Sequence, residues 1–162
     1  GLIREPERFF YSAKASSEPG YRLAHEQAGL PADESLILAG DYSVESGYHM
    51  AKRLLTSKPP VDGVICMSDP MTLGALRAMR EQGLVPGRDI DVIAGDDFPT
   101  TRATWPGLTS IRTPLYDQGY QAGMMIVDYI QSGKEVPGKL LRGELIVRES
   151  VRSRNGAREG LG

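Results

Sequence analysis

Cysteine is nearly absent from this sequence. Its 162 residues hold one, Cys66, which excludes an internal disulfide. Cys66 lies within an apolar run rather than at a helix start, so it reads as an inert buried thiol. Histidine is also scarce. His25 and His49 each fall inside a predicted helix without a partner ligand at i+4, whereas a metal site needs clustered donors. No metal and no cofactor are therefore expected. No apolar run approaches the ~18 residues that cross a bilayer, and no secretion signal is visible at the N-terminus. The expectation is a chain with no membrane partner, in a reducing cytoplasm. Charge of one sign is missing too: 19 Lys and Arg against 21 Asp and Glu leave a formal net charge of -2. That balance gives no support to a nucleic-acid surface in these residues. The phosphate loop G-x-x-x-x-G-K-[ST], the dinucleotide fingerprint G-x-G-x-x-G and the nucleophile elbow G-x-S-x-G are all absent. No catalytic residue is assigned, and the chain is not expected to be an enzyme.

What is present is ordinary material for one globular domain: 40% hydrophobic and 25% charged residues, with 19 glycines and 11 prolines for many short loops. The pattern is clearest between Val61 and Pro99. Val61 to Met67 is a short apolar run of the kind buried on both faces of a sheet. Asp69-Pro70 predicts a helix N-cap followed by proline at the first helical position. Met71, Ala75, Leu76 and Met79 then repeat at helical spacing until Gly83, a C′ residue. Asp91 to Gly95 is a second buried strand, and it ends on Asp96-Asp97. This is a right-handed β-α-β crossover, so the sheet is parallel. Ligands of open parallel sheets bind beyond the carboxyl ends of the strands, which singles out Ser68-Asp69 and Asp96-Asp97.

The remaining segments extend the alternation. Gly1-Leu2-Ile3 resembles the last residues of a strand whose beginning is missing, so a fragment is expected. Arg4 to Ala15 is a long connection whose Phe9-Phe10-Tyr11 reads either as core plugs or as the apolar wall of a ligand site. A helix starts at Ser16-Ser17-Glu18-Pro19 and runs to Ala28, stopped by Gly29. Ser35 to Ala39 is a strand followed by Gly40-Asp41-Tyr42-Ser43. Ser43 caps a helix to Thr56 that buries Gly47, Met50 or Ala51, Leu54 and Leu55. Phe98 to Gly107 is irregular, and Leu108 to Ile111 is a strand. Thr113-Pro114 caps the longest helix, Leu115 to Gln131. Lys139 to Glu149 is a strand or hairpin near a sheet edge, and the polar tail from Arg152 is expected to be disordered. The fold class is α/β, a doubly wound parallel sheet.

Adjacent residues leaving a strand point in opposite directions, so Asp96 and Asp97 rarely share a proton or a metal. Three roles stay open for the pair: a catalytic or metal role, loop capping, or accepting hydrogen bonds from a hydroxyl-rich ligand. Tyr42 either stacks on the apolar face of such a ligand or is structural.

Several motifs, taken in order, resemble one family. They are Gly20-Tyr21-Arg22 with Ala28-Gly29-Leu30, Gly40-Asp41-Tyr42-Ser43 with Glu45-Ser46-Gly47-Tyr48, and Ser68-Asp69 with Met71 and Leu73-Gly74-Ala75-Leu76. Gly83-Leu84-Val85-Pro86 with Asp89-Ile90, Gly95-Asp96-Asp97, Pro106-x-Leu108-Thr109-Ser110-Ile111 and Leu145-x-x-Arg148-Glu149-Ser150 complete the series. Together they resemble the effector-binding core of lactose-repressor/galactose-repressor (LacI/GalR) regulators, which has a periplasmic-binding-protein-like type I fold. The resemblance implies that residues 1–112 are the C-terminal lobe of that core. It makes 113–133 a crossover helix belonging to a missing N-terminal lobe, 134–151 the closing strands and 152–162 a flexible tail.

The same resemblance implies a small-molecule effector, most simply a sugar, bound by Asp97, with Tyr42 as stacking aromatic and Ser68 as a polar pocket residue. Phe9 is the candidate from the aromatic cluster. Ser17 stands where the family usually carries an arginine that reaches the effector, so Arg4, Arg8 or Lys14 would have to substitute. Leu73 resembles a dimer-interface residue of a homodimer. Operator DNA would be bound only through an N-terminal domain absent from these residues, and effector binding would shift lobe angle and DNA affinity. A sugar-binding transport protein shares the fold and is the alternative. A glycoside or nucleoside hydrolase using Asp96 or Asp97 is the third class.

Overall fold

The computed structural model describes residues 1–6 and 17–152. Phe9, the alternative cations Arg8 and Lys14, and the tail beyond Arg152 lie outside the described residues. Six strands form one sheet: β1 (Leu2–Arg4), β2 (Ile37–Ala39), β3 (Gly63–Cys66), β4 (Asp91–Ala94), β5 (Thr109–Arg112) and β6 (Glu144–Ile146). The helices are α1 (Ser17–Gln27), α2 (Val44–Leu55), α3 (Asp69–Glu81), α4 (Pro99–Arg102) and α5 (Leu115–Ser132), with a single 3-10 turn at Glu34–Leu36. The sheet order is β2-β1-β3-β4-β5-β6. All pairs are parallel except β5–β6, where Arg112 faces Glu144. This is the doubly wound arrangement expected from the alternating pattern.

Strand periodicity decides the two faces. Val64, Cys66, Val92 and Ala94 are buried in one core with Ala51 and Leu54 of α2 and Met71, Ala75, Ala78 and Met79 of α3. The intervening Ile65 and Ile93 are half-buried on the other face, beside Tyr21 and His25 of α1. Cys66 sits fully inside the first core, and burial pushes its thiol up to about 12, which leaves it inert.

Helices α2 and α3 approach each other through glycine. A Cβ on Gly74 would lie 1.9 Å from the Val44 carbonyl oxygen, and one on Gly47 would lie 2.1 Å from that of Met71. The two backbones are therefore in direct contact, and any side chain at the crossing would push them apart.

Helix ends follow the sequence with small corrections. Ser43 caps α2, its hydroxyl accepting from the Ser46 N–H at 3.0 Å. At α3 the cap is Ser68 rather than Asp69. The Ser68 hydroxyl accepts from the Met71 N–H, and Asp69 and Pro70 occupy the first helical turn. Asp69 is displaced from the cap because its carboxylate holds the loop after β4. Helix α5 starts at Leu115 behind Pro114 with no side-chain cap, so Thr113 does not play the capping part expected of it. The segment read as irregular after Phe98 contains the short α4, and the strand expected over 139–149 is ordered as β6 for three residues only.

The return of the chain is stitched into the sheet by one buried serine. The Ser150 hydroxyl donates to the Val92 carbonyl at 2.6 Å and accepts from the Thr109 N–H at 2.8 Å. Its backbone carbonyl receives the Val92 N–H at 2.9 Å. By contrast, no residue of α5 is buried. Leu115, Tyr120, Ile126, Tyr129 and Ile130 are exposed on it, an apolar surface larger than isolated domains usually leave bare.

The glycine crossing yields a direct test. Gly74→Ala should lower stability by about 3 kcal/mol, the upper end of overpacking costs. Urea denaturation of the variant measures it, and a midpoint equal to that of the parent protein would contradict backbone contact between α2 and α3.

Candidate functional site

The order β2-β1-β3 reverses direction at β1, and the crevice of a doubly wound sheet opens where that happens, beyond the carboxyl ends of the strands. Five segments leave there: Glu5 after β1, Gly40–Ser43 after β2, Ser68 after β3, Asp96–Phe98 after β4 and Thr113 after β5.

Tyr42 is carried by the segment after β2 in an unusual way. It has φ +69, the left-handed region that costs a non-glycine residue roughly 1–2 kcal/mol. The turn around it holds the strain: the Asp41 carboxylate accepts the Ser43 N–H at 2.9 Å, and the Asp41 N–H donates to the Ser46 hydroxyl at 3.1 Å. Strain kept at a crevice is a mark of function, and here it leaves the aromatic ring exposed. Burial raises the Tyr42 phenol above its ordinary value, and the charges of Glu5 and Asp96 raise it further.

The aspartate pair after β4 divides as the alternation of a strand demands. Asp97 turns inward, its side chain 2% exposed. Its Oδ1 accepts from the Ser110 hydroxyl at 2.8 Å and from Arg148 Nη2 at 2.6 Å. Its Oδ2 accepts from Arg112 Nε at 2.8 Å and pairs with Arg102 Nη2 at 3.2 Å. Burial by itself would raise this carboxyl, but the Ser110 hydroxyl and the Arg148 and Arg112 guanidinium groups overcome it and hold the group far below the usual range. Asp97, the residue assigned to the ligand by resemblance, has both oxygens engaged within the protein.

Asp96 turns the other way and is only half-buried. Among the described residues it accepts a single hydrogen bond, from the Asp69 N–H to Oδ2 at 3.3 Å. Asp69 returns the contact: its Oδ1 accepts the Asp96 N–H at 3.3 Å, while Oδ2 accepts the Phe98 N–H and the Thr101 hydroxyl, both at 3.0 Å. Burial, and after it the charge of Asp96, raises the Asp69 carboxyl, with the Phe98 and Thr101 hydrogen bonds opposing. Asp69 is thus the anchor of the loop that presents Asp96. The open carboxylate of the pair is Asp96, a residue the sequence reading named but did not choose.

The other candidates occupy supporting positions. Ser68 is buried and its hydroxyl caps α3. Ser17 opens α1, with its N–H and hydroxyl donated to the Glu5 carboxylate at 3.0 and 2.6 Å. Arg4, proposed as a substitute cation, pairs with Glu18 at 2.9 Å. Leu73 lies away from the crevice, on the outer side of α3, in a shallow groove with Leu76, Arg77, Arg80 and Glu81.

Beyond Asp96 and Asp97 the crevice continues into a cleft of about 570 Å³ between α4 and the start of α5. Phe98, Arg102, Arg112 and Tyr116 line it. The three arginines gathered by Asp97 went unassigned in the sequence because they sit 5, 15 and 51 positions away from it. The one available signal was Arg148 within the Arg148-Glu149-Ser150 motif. Chemically, the crevice offers an open carboxylate, an exposed aromatic ring and backbone groups, suited to binding a hydroxylated molecule. Among the described residues no group of three His, Cys, Asp or Glu could hold a metal.

Because Asp97 is held below its unfolded-chain value of about 3.9, its stabilisation is fully present above that value and is lost as the pH falls through and below it. Asp97→Asn should cost about 3 kcal/mol at pH 7 by leaving the arginines uncompensated. It should also flatten the decline in stability below pH ~4. Urea midpoints measured across that range test both effects, and a variant that keeps the parent's acid profile would remove Asp97 from the account.

A family model described as a periplasmic binding protein-like domain matches residues 1–151. The chain is 35% identical over 135 residues to the HTH-type transcriptional repressor CytR of Escherichia coli (strain K12), covering 83% of this chain and 40% of that protein. It thus spans about 40% of the length of such curated relatives. A structure of the transcriptional regulator CelR–cellobiose complex superposes with a TM-score of 0.82 at 33% identity, over 93% of this chain and 46% of that one. A LacI family transcriptional regulator from Enterococcus faecium with bound ribose superposes with a TM-score of 0.81 at 26% identity, over 93% and 55%.

Proposed function

The chain belongs to the periplasmic binding protein-like domain family, among LacI-type transcriptional regulators, and on that premise we propose that it forms one face of an effector site controlling operator affinity. Its relatives are named as regulators, not enzymes. The effector is a small hydroxylated molecule of the sugar or nucleoside kind. Cellobiose and ribose in the structures of similar proteins support that class.

The observation that carries this reading is the division of the aspartate pair. Asp97 fixes the end of β4 by binding three arginines, which leaves Asp96 half-buried and, among the described residues, with a single hydrogen bond, at the same end of the sheet as Tyr42. A carboxylate accepts from two adjacent hydroxyls at once, and an aromatic ring packs on the apolar face of the same molecule. Asp96 and Tyr42 therefore contact the effector, while Asp97, Ser68 and Ser17 are positioning residues.

On this reading α5 packs on a second lobe that lies outside this sequence, supported by the absence of any buried residue along its 18 residues. Effector held between the two lobes favours one lobe angle, and that angle is the state read by a DNA-binding domain elsewhere in the full-length protein. On the same reading the full-length protein works in the cytoplasm as a pair of subunits, and the groove at Leu73 on α3 is the surface assigned to pairing.

The test is a thermal-shift and calorimetric screen of the full-length protein against sugars, polyols and nucleosides. An effector at 100 times its dissociation constant should stabilise the protein by ~2.7 kcal/mol. Asp96→Ala and Tyr42→Ala should each weaken binding at least tenfold without lowering stability comparably. Full retention of affinity in both variants would remove the crevice from the effector site.

A further inference from the structure

The face of the sheet turned toward α1 is incompletely covered. Paired neighbours in a parallel sheet share a face. The register pairs Leu2 with Ile65, Ile65 with Ile93 and Ile93 with Thr109, so Leu2, Ile65, Ile93 and, two residues beyond Thr109, Ile111 form one row. Leu2, on β1 where α1 packs, is 1% exposed. Ile65, Ile93 and Ile111 are only half-buried. Beside them runs a groove of about 300 Å³, lined by Tyr21, His25, Ile65 and Ile93 and, at its head, by Gly1. Among the described residues α1 is the only helix that borders this groove, and none of the 11 residues of α1 is buried. The helix and the isoleucine row each lack a neighbour.

We propose that this row is the docking surface of an amphipathic helix of the full-length protein, one that leads directly into β1. The handedness of the fold selects that occupant. Parallel crossovers are right-handed, so connections moving toward β6 lie on one face and those moving toward β2 on the other. Helices α2 and α3 lead toward β6 and pack on the face of Val64 and Val92. The β1-α1-β2 connection moves the opposite way and lies on the face of Ile65. A further helix on the Ile65 face belongs to a connection moving toward β2, and β2 to β6 already have theirs. Strand β1 is the one left to receive it. The relatives are long enough to supply the segment, since this chain spans about 40% of their length. A helix-to-strand connection takes about 2–6 residues, which sets the end of the helix close to Gly1 at the head of the groove. Apolar side chains at i, i+3, i+4 and i+7 of such a helix match the isoleucine row. Two other segments fit less well. Residues 7–16 join Pro6 to Ser17 at the opposite end of the sheet, where the Glu5 carboxylate accepts from Ser17. Beyond Arg152, Ala157 and Leu161 are the only aliphatic side chains, too few to cover the row.

The experiment uses the full-length protein. Ile93→Cys places a thiol on this face, and Cys66 does not compete because it is buried and its thiol is pushed up to about 12. Maleimide labelling at position 93, read by peptide mass, should run about a hundredfold slower in the native protein than in the urea-unfolded one, since only opening exposes the site. A photo-cross-linking leucine analogue at position 93 should join to residues within about 20 positions before Gly1, the span of one helix and its connection. Ile65→Cys and the analogue at position 65 repeat both readings where a change at 93 prevents folding. Native labelling as fast as in urea overturns the docking surface. No cross-link, or cross-links confined to α1, to residues 7–16, to the residues after Arg152 or to a second subunit, overturns the occupant. None of these results bears on the effector-site reading, which concerns the opposite end of the sheet.

Discussion

One buried carboxylate organises the working end of this sheet. Asp97 gathers Arg102 from α4, Ser110 and Arg112 from β5, and Arg148 from the returning chain. Four segments that are far apart in sequence meet at two oxygen atoms. A buried anion is tolerated only when its hydrogen-bonding capacity is filled and its charge is balanced, and here both conditions hold. The arrangement leaves little freedom for the loop after β4. With Asp97 turned inward, the alternation of the chain turns Asp96 outward, and the Asp69 carboxylate holds the backbone at Asp96 and Phe98 in place. The exposure of Asp96 is thus a consequence of the satisfaction of Asp97.

How much of this was legible in the sequence depends on the range of the interaction. The β3-α3-β4 unit could be read residue by residue, because apolar runs, serine caps and Gly83 are local signals. The glycine at 83 has φ +70, as a helix C′ position requires. The α3 cap shifted by one residue, from Asp69 to Ser68, since either side chain can cap a helix and tertiary structure claimed the aspartate for the next loop. The doubly wound class followed from the alternation of strand and helix. The short α4 did not, because a four-residue helix with proline at its start has no periodicity to detect.

The candidate site was legible in place but not in detail. Asp96-Asp97, Tyr42 and Ser68 were singled out for lying after strands, and the structure puts all of them at the carboxyl end of the sheet. Which aspartate faces outward was not legible. That choice depends on where the arginines lie, and Arg148 is 51 positions from Asp97. Ser17 shows the same limit: its departure from the family pattern was visible, whereas its donation to Glu5 is a contact across 12 positions. Nothing about its own neighbours announces that contact.

The same ion cluster joins the crevice to the two strands that flank α5. Arg112 ends β5, the strand that runs into α5, and it faces Glu144 of β6, the strand that brings the chain back. Arg112 is also bound to Asp97, the direct neighbour of Asp96. A group that pulls on Asp96 therefore acts on a backbone whose next side chain grips both connecting strands. Coupling between an effector and a lobe angle needs differential contact with two states of some element. On the proposed reading, the Asp97–Arg112–Glu144 chain, in which Arg112 binds Asp97 at 2.8 Å and reaches Glu144 at 3.7 Å, is the candidate for that element. On that reading Asp97 both fixes the loop that presents Asp96 and joins it to β5 and β6 through Arg112.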